Sequence, residues 1–194
     1  MRLIQITDSH LHADKRARSR AGIPWQQFQR VLEAVAAERP DVVVFTGDVS
    51  QDETAASYAH AREALSALPC PWFWIPGNHD QLELMSAEQP LLDEVDLDQW
   101  RLLLLDTQVV GKPHGELGSD TLSALAGRLE QDDRPTMIAM HHPPVDVGAA
   151  WMDAIGLQDR EAFLAAVECL PAGQDDSVWP CPSSLCAVSS SGRQ

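Results

Sequence analysis

Short apolar runs alternate along the chain with longer stretches in which apolar residues recur every three or four positions. The first pattern predicts buried strands and the second amphipathic helices. Arg2 to Thr7 reads as a strand closed by Asp8-Ser9-His10. Residues 13–22 are small and basic, a loop. Pro24 suits the first turn of a helix, with Trp25, Phe28, Val31, Leu32 and Val35 on one face and Pro40 as its stop. Val42 to Thr46 predicts a strand ended by Gly47-Asp48, followed by a helix over about 53–67 with Tyr58, Ala61, Ala64, Leu65 and Leu68 facing inward. Pro71 to Ile75 predicts a third strand, ended by Pro76-Gly77-Asn78-His79-Asp80, and 81–88 a short helix. Trp100 to Leu105 reads as a fourth strand ended by Asp106, 119–130 as a helix, Thr136 to Met140 as a fifth strand, and Asp159 to Glu168 as a last helix.

Strand alternating with helix makes an α/β layered sheet the natural reading. In such sheets ligands sit outside the carboxyl ends of the strands. The segments 8–10, 47–48, 77–80 and 141–142 all follow predicted strands and are expected to converge there. Trp25, Phe28, Trp72, Phe73, Trp74 and Trp100 read as packing residues. His60 reads as a solvated helix residue, and Asp93, Glu94, Asp96 and Asp98 as a solvated acidic loop.

The 194 residues suffice for one domain, and their net charge of −15, from 14 basic and 29 acidic side chains, changes the range of partners. Nucleic acid and anionic membrane surfaces are disfavoured, because phosphate backbones are bound mainly through cations. A small phosphate substrate is not, provided bound metal ions reverse the local field. No run of apolar residues is long enough for a membrane span, and the first residues lack a signal-peptide pattern, so a cytoplasmic location is expected. Cys70, Cys169, Cys181 and Cys186 form no C-x-x-C pair and read as reduced thiols. From Cys169 onward prolines and serines replace the periodic pattern, so 1–168 reads as the folded domain and 169–194 as a coil-like tail. Nothing in the pattern sets an oligomeric state.

Candidate chemistry lies at the strand ends. Asp8-x-His10 offers a carboxylate and an imidazole, both suited to a divalent transition metal. Gly47 allows a sharp turn, and the Asp48 carboxylate after it can bridge two metals. Asn78 supplies a neutral oxygen, and His79 a proton for a leaving oxygen. His141 supplies a further imidazole, with Pro143 and Pro144 fixing the exit path. Taken singly, each motif has a turn or a solvated histidine as its plain alternative. Their ordered combination, each after a strand, points to a two-metal site.

This order resembles the calcineurin-like metallophosphoesterase superfamily, and within it the bacterial class III cyclic-nucleotide phosphodiesterases. The resemblance runs from Met1 to about Glu168, carried by Ile6-Thr7-Asp8-Ser9-His10-Leu11, Thr46-Gly47-Asp48-Val49-Ser50-Gln51-Asp52, Pro76-Gly77-Asn78-His79-Asp80, Leu105-Asp106-Thr107, His114-Gly115-Glu116-Leu117 and Met140-His141-His142-Pro143-Pro144. It implies a layered αββα sandwich and two divalent metal ions, iron or manganese before zinc. By resemblance, Asp8 and His10 hold the first metal, Asp48 bridges both, and Asn78 and His141 hold the second. Asn78 and His79 contact substrate, His79 sits over the phosphate as the catalytic acid, and His142 is a neighbour. Two cations about 3.5–4 Å apart would clamp the phosphate while a bridging hydroxide attacks in line. The implied reaction is hydrolysis of 3′,5′-cyclic AMP, a small phosphodiester, to 5′-AMP. A glycerophosphodiester or general phosphoester hydrolase is the rival reading, and a catalytically inactive fragment the third.

The superfamily completes its site with a late G-H-x-H motif, whereas the seven histidines here end at His142. The sandwich is therefore expected to be incomplete at its C-terminal end, with weakened metal affinity and impaired activity. A shifted reading frame or a truncated gene from about residue 169 is the expected origin of the tail. His12 and His114 are the nearest replacement imidazoles in sequence. His12 reads either as reaching substrate or as solvated, and Asp106 either as orienting a ligand or as a turn residue.

Overall fold

A computed structural model of the chain describes residues 1–168 and the backbone of Leu185–Ser189. It divides into two units, the first Met1–Leu92 and the second starting at Asp93. Each is of the α/β class.

In the first unit β1 (Leu3–Ile6), β2 (Val42–Thr46) and β3 (Trp72–Ile75) form a parallel sheet in the order β1-β2-β3. β2 is central and all five of its residues are buried, which is why it reads as an unbroken apolar run. Register pairs Ile6 with Phe45 and Thr46 with Ile75, so all three strands end at nearly the same level. The connecting helices are α1 (Pro24–Glu38), α2 (Ala55–Leu65) and α3 (Leu82–Glu88). Pro24 occupies the first helical turn of α1, where its missing N–H costs nothing. Arg39 ends α1 in the left-handed region at φ 49°, and Pro40 follows. Thr54 caps α2 by accepting from the Ser57 N–H. Phe28, Leu32 and Val35 of α1 join Tyr58, Ala61 and Leu65 of α2, Met85 of α3 and Val43, Phe45, Trp72 and Trp74 of the sheet in one core. Val31, expected on the inner face of α1, is 44% exposed, because the buried stripe runs through 28, 32 and 35 and leaves 31 at its margin.

In the second unit the sheet order is β4-β5-β6-β7, with β4 (Glu94–Leu97), β5 (Trp100–Leu104), β6 (Thr136–Met140) and β7 (Leu185–Ser189). Its helices are α4 (Gly118–Gln131), α5 (Ala150–Asp153) and α6 (Arg160–Glu168). β4 corrects the reading of Asp93 to Asp98 as a solvated loop. It pairs antiparallel with β5 through a turn at Asp98 (φ 64°), burying Val95 while its acidic neighbours Glu94 and Asp96 face outward. Val95 and Leu97 alternate with carboxylates, but so short and so charged a run reads as a solvated loop. Arg101, inside β5, is also buried, and its guanidinium donates to Thr136 Oγ1, the Arg128 carbonyl and the Asp132 carbonyl at the end of α4. It thereby satisfies carbonyls that a helix end leaves without partners. Leu125 and Leu129 of α4, Phe163 and Val167 of α6, and Leu103, Ile138 and Met140 of the sheet form the second core.

Of the stretch 169–194, read as coil, Leu185–Ser189 is a strand that pairs parallel with β6. The rest of that stretch lies outside the described residues, as do the Cys169 and Cys181 thiols and the reading-frame question attached to it. Among the described residues no helix is long and apolar enough to cross a membrane.

Candidate metal centre

The level ends of three neighbouring parallel strands deliver three loops of the first unit to one place. The first two loops are zipped together beyond the sheet. Asp8 N–H donates to the Gly47 carbonyl, His10 N–H to the Asp48 carbonyl and Leu11 N–H to the Val49 carbonyl. Parallel pairing thus continues past the strands, and it carries Asp8, His10 and Asp48 into register with one another.

One ligand atom from each of Asp8, His10 and Asp48 lies within 4.8 Å of the other two. His10 Nε2 stands 3.7 Å from Asp8 Oδ1 and 3.6 Å from Asp48 Oδ2. Asp48 is buried, while Asp8 and His10 are half-buried. All three adopt left-handed backbone, with φ of 55°, 45° and 52°. That conformation costs an L-residue on the order of 1 kcal/mol. The bonds between the two loops hold all three in this conformation. Two carboxylates and an imidazole at this spacing fit a divalent transition metal ion.

Burial disfavours a charged His10, but the hydrogen bond to Asp8 and the charges of Asp48 and Asp8 outweigh it and hold the imidazole above its usual pKa. Two carboxylates around one imidazole make a site that attracts positive charge. The other ring nitrogen, Nδ1, is buried and has no hydrogen-bond partner among the described residues.

The third loop joins through backbone as well as side chain. His79 N–H donates to Asp48 Oδ1 at 3.0 Å, which fixes one oxygen of that carboxylate and leaves Oδ2 toward His10. The His79 ring meets the His10 ring edge to face at 5.3 Å between centroids. Asn78 and His79 are half-buried at the mouth of the same loop. Gly77 is needed for the approach: a Cβ there would stand 2.9 Å from Asp48 Cγ and closer still to its Oδ1 and N.

Asp80 is the residue whose role the sequence left unassigned, although the G-N-H-D motif contains it. Its buried carboxylate accepts from Val49 N–H, Ser50 N–H and Gly77 N–H, and from the Tyr58 hydroxyl. It therefore clamps the Asp48 loop to the Asn78 loop. Burial pushes the Asp80 pKa up, assisted by Asp48 and opposed by the backbone donors. Burial, with Asp80 adding to it, also pushes Tyr58 up, and the Tyr58 oxygen accepts from Gln81 N–H. Nothing local in sequence links Tyr58 to position 80, since the pair is made by α2 packing over the strand ends.

The other candidates fall into place separately. His12 pairs with Asp52 at 3.8 Å, and His60 bonds the Ala13 carbonyl and meets the Trp25 ring, so His60 is not the solvated residue expected. Asp106 accepts from Gln108 N–H, a turn role. His141 and His142 are buried in the second unit with their rings 4.8 Å apart. His142 Nδ1 lies 2.8 Å from Thr107 Oγ1, and the ring rests on Gly115, where a Cβ would come 2.8 Å from His142 Cβ and nearer to its ring.

Comparison with known proteins matches residues 1–165 to the calcineurin-like phosphoesterase family. A 3′,5′-cyclic adenosine monophosphate phosphodiesterase, CpdA, of Vibrio vulnificus is 41% identical over 180 residues, covering 88% of this chain and 66% of that protein. The CpdA of Escherichia coli K12 is 38% identical over 168 residues, covering 82% and 61%. The chain thus spans somewhat less than two thirds of the length of these relatives. Among solved structures, a dimetal phosphatase from Danio rerio superposes with a TM-score of 0.67 at 14% identity, over 86% of this chain and 76% of that one, which shows a shared fold. With the family match over most of its length and the strand-end motifs in place, the chain belongs to the calcineurin-like phosphoesterase family.

Proposed function

We propose that this chain is a metal-dependent phosphodiesterase whose substrate is a small cyclic nucleotide, 3′,5′-cyclic AMP first, hydrolysed to 5′-AMP. The observation that carries the reading is the cluster of Asp8, His10 and Asp48, three left-handed residues with ligand atoms within 4.8 Å of one another. The names of the relatives at 41% and 38% identity support the choice of substrate.

Asp8 and His10 would hold one divalent ion, Asp48 would reach both ions, and Asn78 would be a ligand of the other. Iron or manganese suits this mixed oxygen and nitrogen set, and zinc does too. When bound, such ions polarise a phosphoryl oxygen and lower the pKa of water. The chain's own residues do the rest. Asp48 has Oδ1 fixed by His79 N–H, which turns Oδ2 toward His10. Asn78 offers the substrate a neutral polar group, and His79 a proton for the departing 3′-alkoxide. Asp80 keeps the two loops in register. A cytoplasmic location accords with a cyclic nucleotide substrate.

A second reading, a chain that binds metal without turnover, is favoured by one observation: no histidine follows His142. Hydrolysis of cyclic AMP and of bis(4-nitrophenyl) phosphate in excess Mn²⁺, beside Asp48→Asn, decides between them. Cyclic AMP turnover lost in the variant supports the proposal. Turnover of the nitrophenyl ester alone supports a general phosphoester hydrolase. A folded protein that binds Mn²⁺ and turns over neither ester supports the second reading.

A further inference from the structure

Among the described residues, Arg2, Arg62, Arg101, Arg128, Arg134 and Arg160 each face a carboxylate. The loop between Asp8-x-His10 and α1 is different. Within residues 13–22 it carries Lys15, Arg16, Arg18 and Arg20 against one carboxylate, Asp14, in a chain of net charge −15. Arg16, Arg18 and Arg20 are exposed, and among the described residues none of the three is in an ion pair. Asp14 spends one oxygen on the Arg16 backbone N–H.

Like charges so close repel, yet the loop is pinned along its length. Ala13 N–H donates to Asp52 Oδ2 at 2.8 Å, and His60 Nε2 bonds the Ala13 carbonyl at 3.2 Å. Lys15 Nζ sits 4.1 Å over the Trp25 ring. Ser19 and Gly22 bridge antiparallel, and Gln27 Nε2 donates to the Ala21 carbonyl at 2.6 Å. Gln27 also lines a crevice of about 90 Å³ together with Thr7, Asp8, Ser9 and Phe28. The returning arm of the basic loop therefore borders the side of the candidate metal centre that holds Asp8.

We propose that this loop is an anion-capture element for a small phosphodiester, raising its local concentration at the Asp8 side of the site and taking no part in bond cleavage. The proposal rests on the phosphodiesterase reading above. A strongly acidic protein repels anions at long range, while fields from clustered cations act within a Debye length of about 10 Å at 0.1 M salt. Arg16, Arg18 and Arg20, exposed on a loop whose backbone is pinned, would with Lys15 offset that repulsion where the substrate arrives. Their role is in substrate entry, so it belongs to kcat/KM and not to kcat.

The test compares the full chain with a variant carrying Arg16→Gln, Arg18→Gln and Arg20→Gln. With excess Mn²⁺ and bis(4-nitrophenyl) phosphate, kcat/KM at low salt is expected to fall about tenfold in the variant with kcat unchanged, and the two proteins to converge at about 0.5 M NaCl. Equal kcat/KM at low salt, or a loss that salt does not erase, overturns the proposal. Amide spectra of the zinc-loaded chain titrated with dimethyl phosphate read the loop without catalysis. Shifts at residues 14–22 that vanish in the variant support capture even if turnover is absent, in which case the catalytic reading alone fails. No shifts in the parent chain overturn the capture role.

Discussion

Gly77 and Asp48 are in contact through the bare Cα of the glycine, and a methyl group at position 77 would overlap the Asp48 carboxylate and its backbone nitrogen. Both neighbours belong to a buried loop that is bonded on two sides, so neither can move aside cheaply. Gly77→Ala is expected to displace Asp48, lowering unfolding stability by about 1–3 kcal/mol as overpacking does. It should also lower Mn²⁺ affinity. Urea denaturation and calorimetric titration measure the two effects. Unchanged metal affinity would contradict the contact.

Asp80 is expected to matter for stability as much as any apolar core residue. Removing its carboxylate with Asp80→Ala leaves the N–H groups of Val49, Ser50 and Gly77 and the Tyr58 hydroxyl without their acceptor. Each stranded buried donor costs about 1–3 kcal/mol, less where water enters. A loss of about 3 kcal/mol or more in urea denaturation is the expected result. Asp80→Asn keeps one acceptor oxygen and should lose roughly half as much.

Metal removal gives the third prediction. An ion bound by Asp8, His10 and Asp48 stabilises the folded state only, by about 2.7 kcal/mol when its concentration is a hundred times Kd. Thermal melts with Mn²⁺ and with a chelator should therefore differ by several degrees. In Asp48→Asn most of that difference should disappear, while the chelated melting temperature changes little.

A pH effect is expected far from the metal site. Hydrogen bonds from the Arg134 side chain and backbone hold the Asp132 carboxyl down at about 2, below its ordinary 3.8. A folded-state pKa lowered in this way contributes stability above pH 3.8 that is lost as pH falls toward 2. In Arg134→Ala the Asp132 resonance should titrate nearer the ordinary value. The stability gap between the two proteins should be constant above about pH 5, narrow as pH falls through 2, and close near pH 1. A gap that stays fully open at about pH 1 would place Arg134's contribution elsewhere, for example at its bond to the Asp98 carbonyl.

The sequence by itself determined the α/β class, because β2 and β6 are continuous apolar runs and α1 and α4 carry clear apolar stripes. It also marked Asp8, His10, Asp48, Asn78 and His79 as candidates, since each sits in a short polar motif directly after an apolar strand. β4 escaped it, because a four-residue run in which Val95 and Leu97 alternate with carboxylates is too short and too charged to stand out from a solvated loop. Only the tertiary structure decided that Asp8, His10 and Asp48 meet, for that follows from three strands ending level and two loops zipping beyond them. It alone decided the work of Asp80 and of Gly77. Those roles are made by atoms distant in sequence, whose contacts no local pattern records.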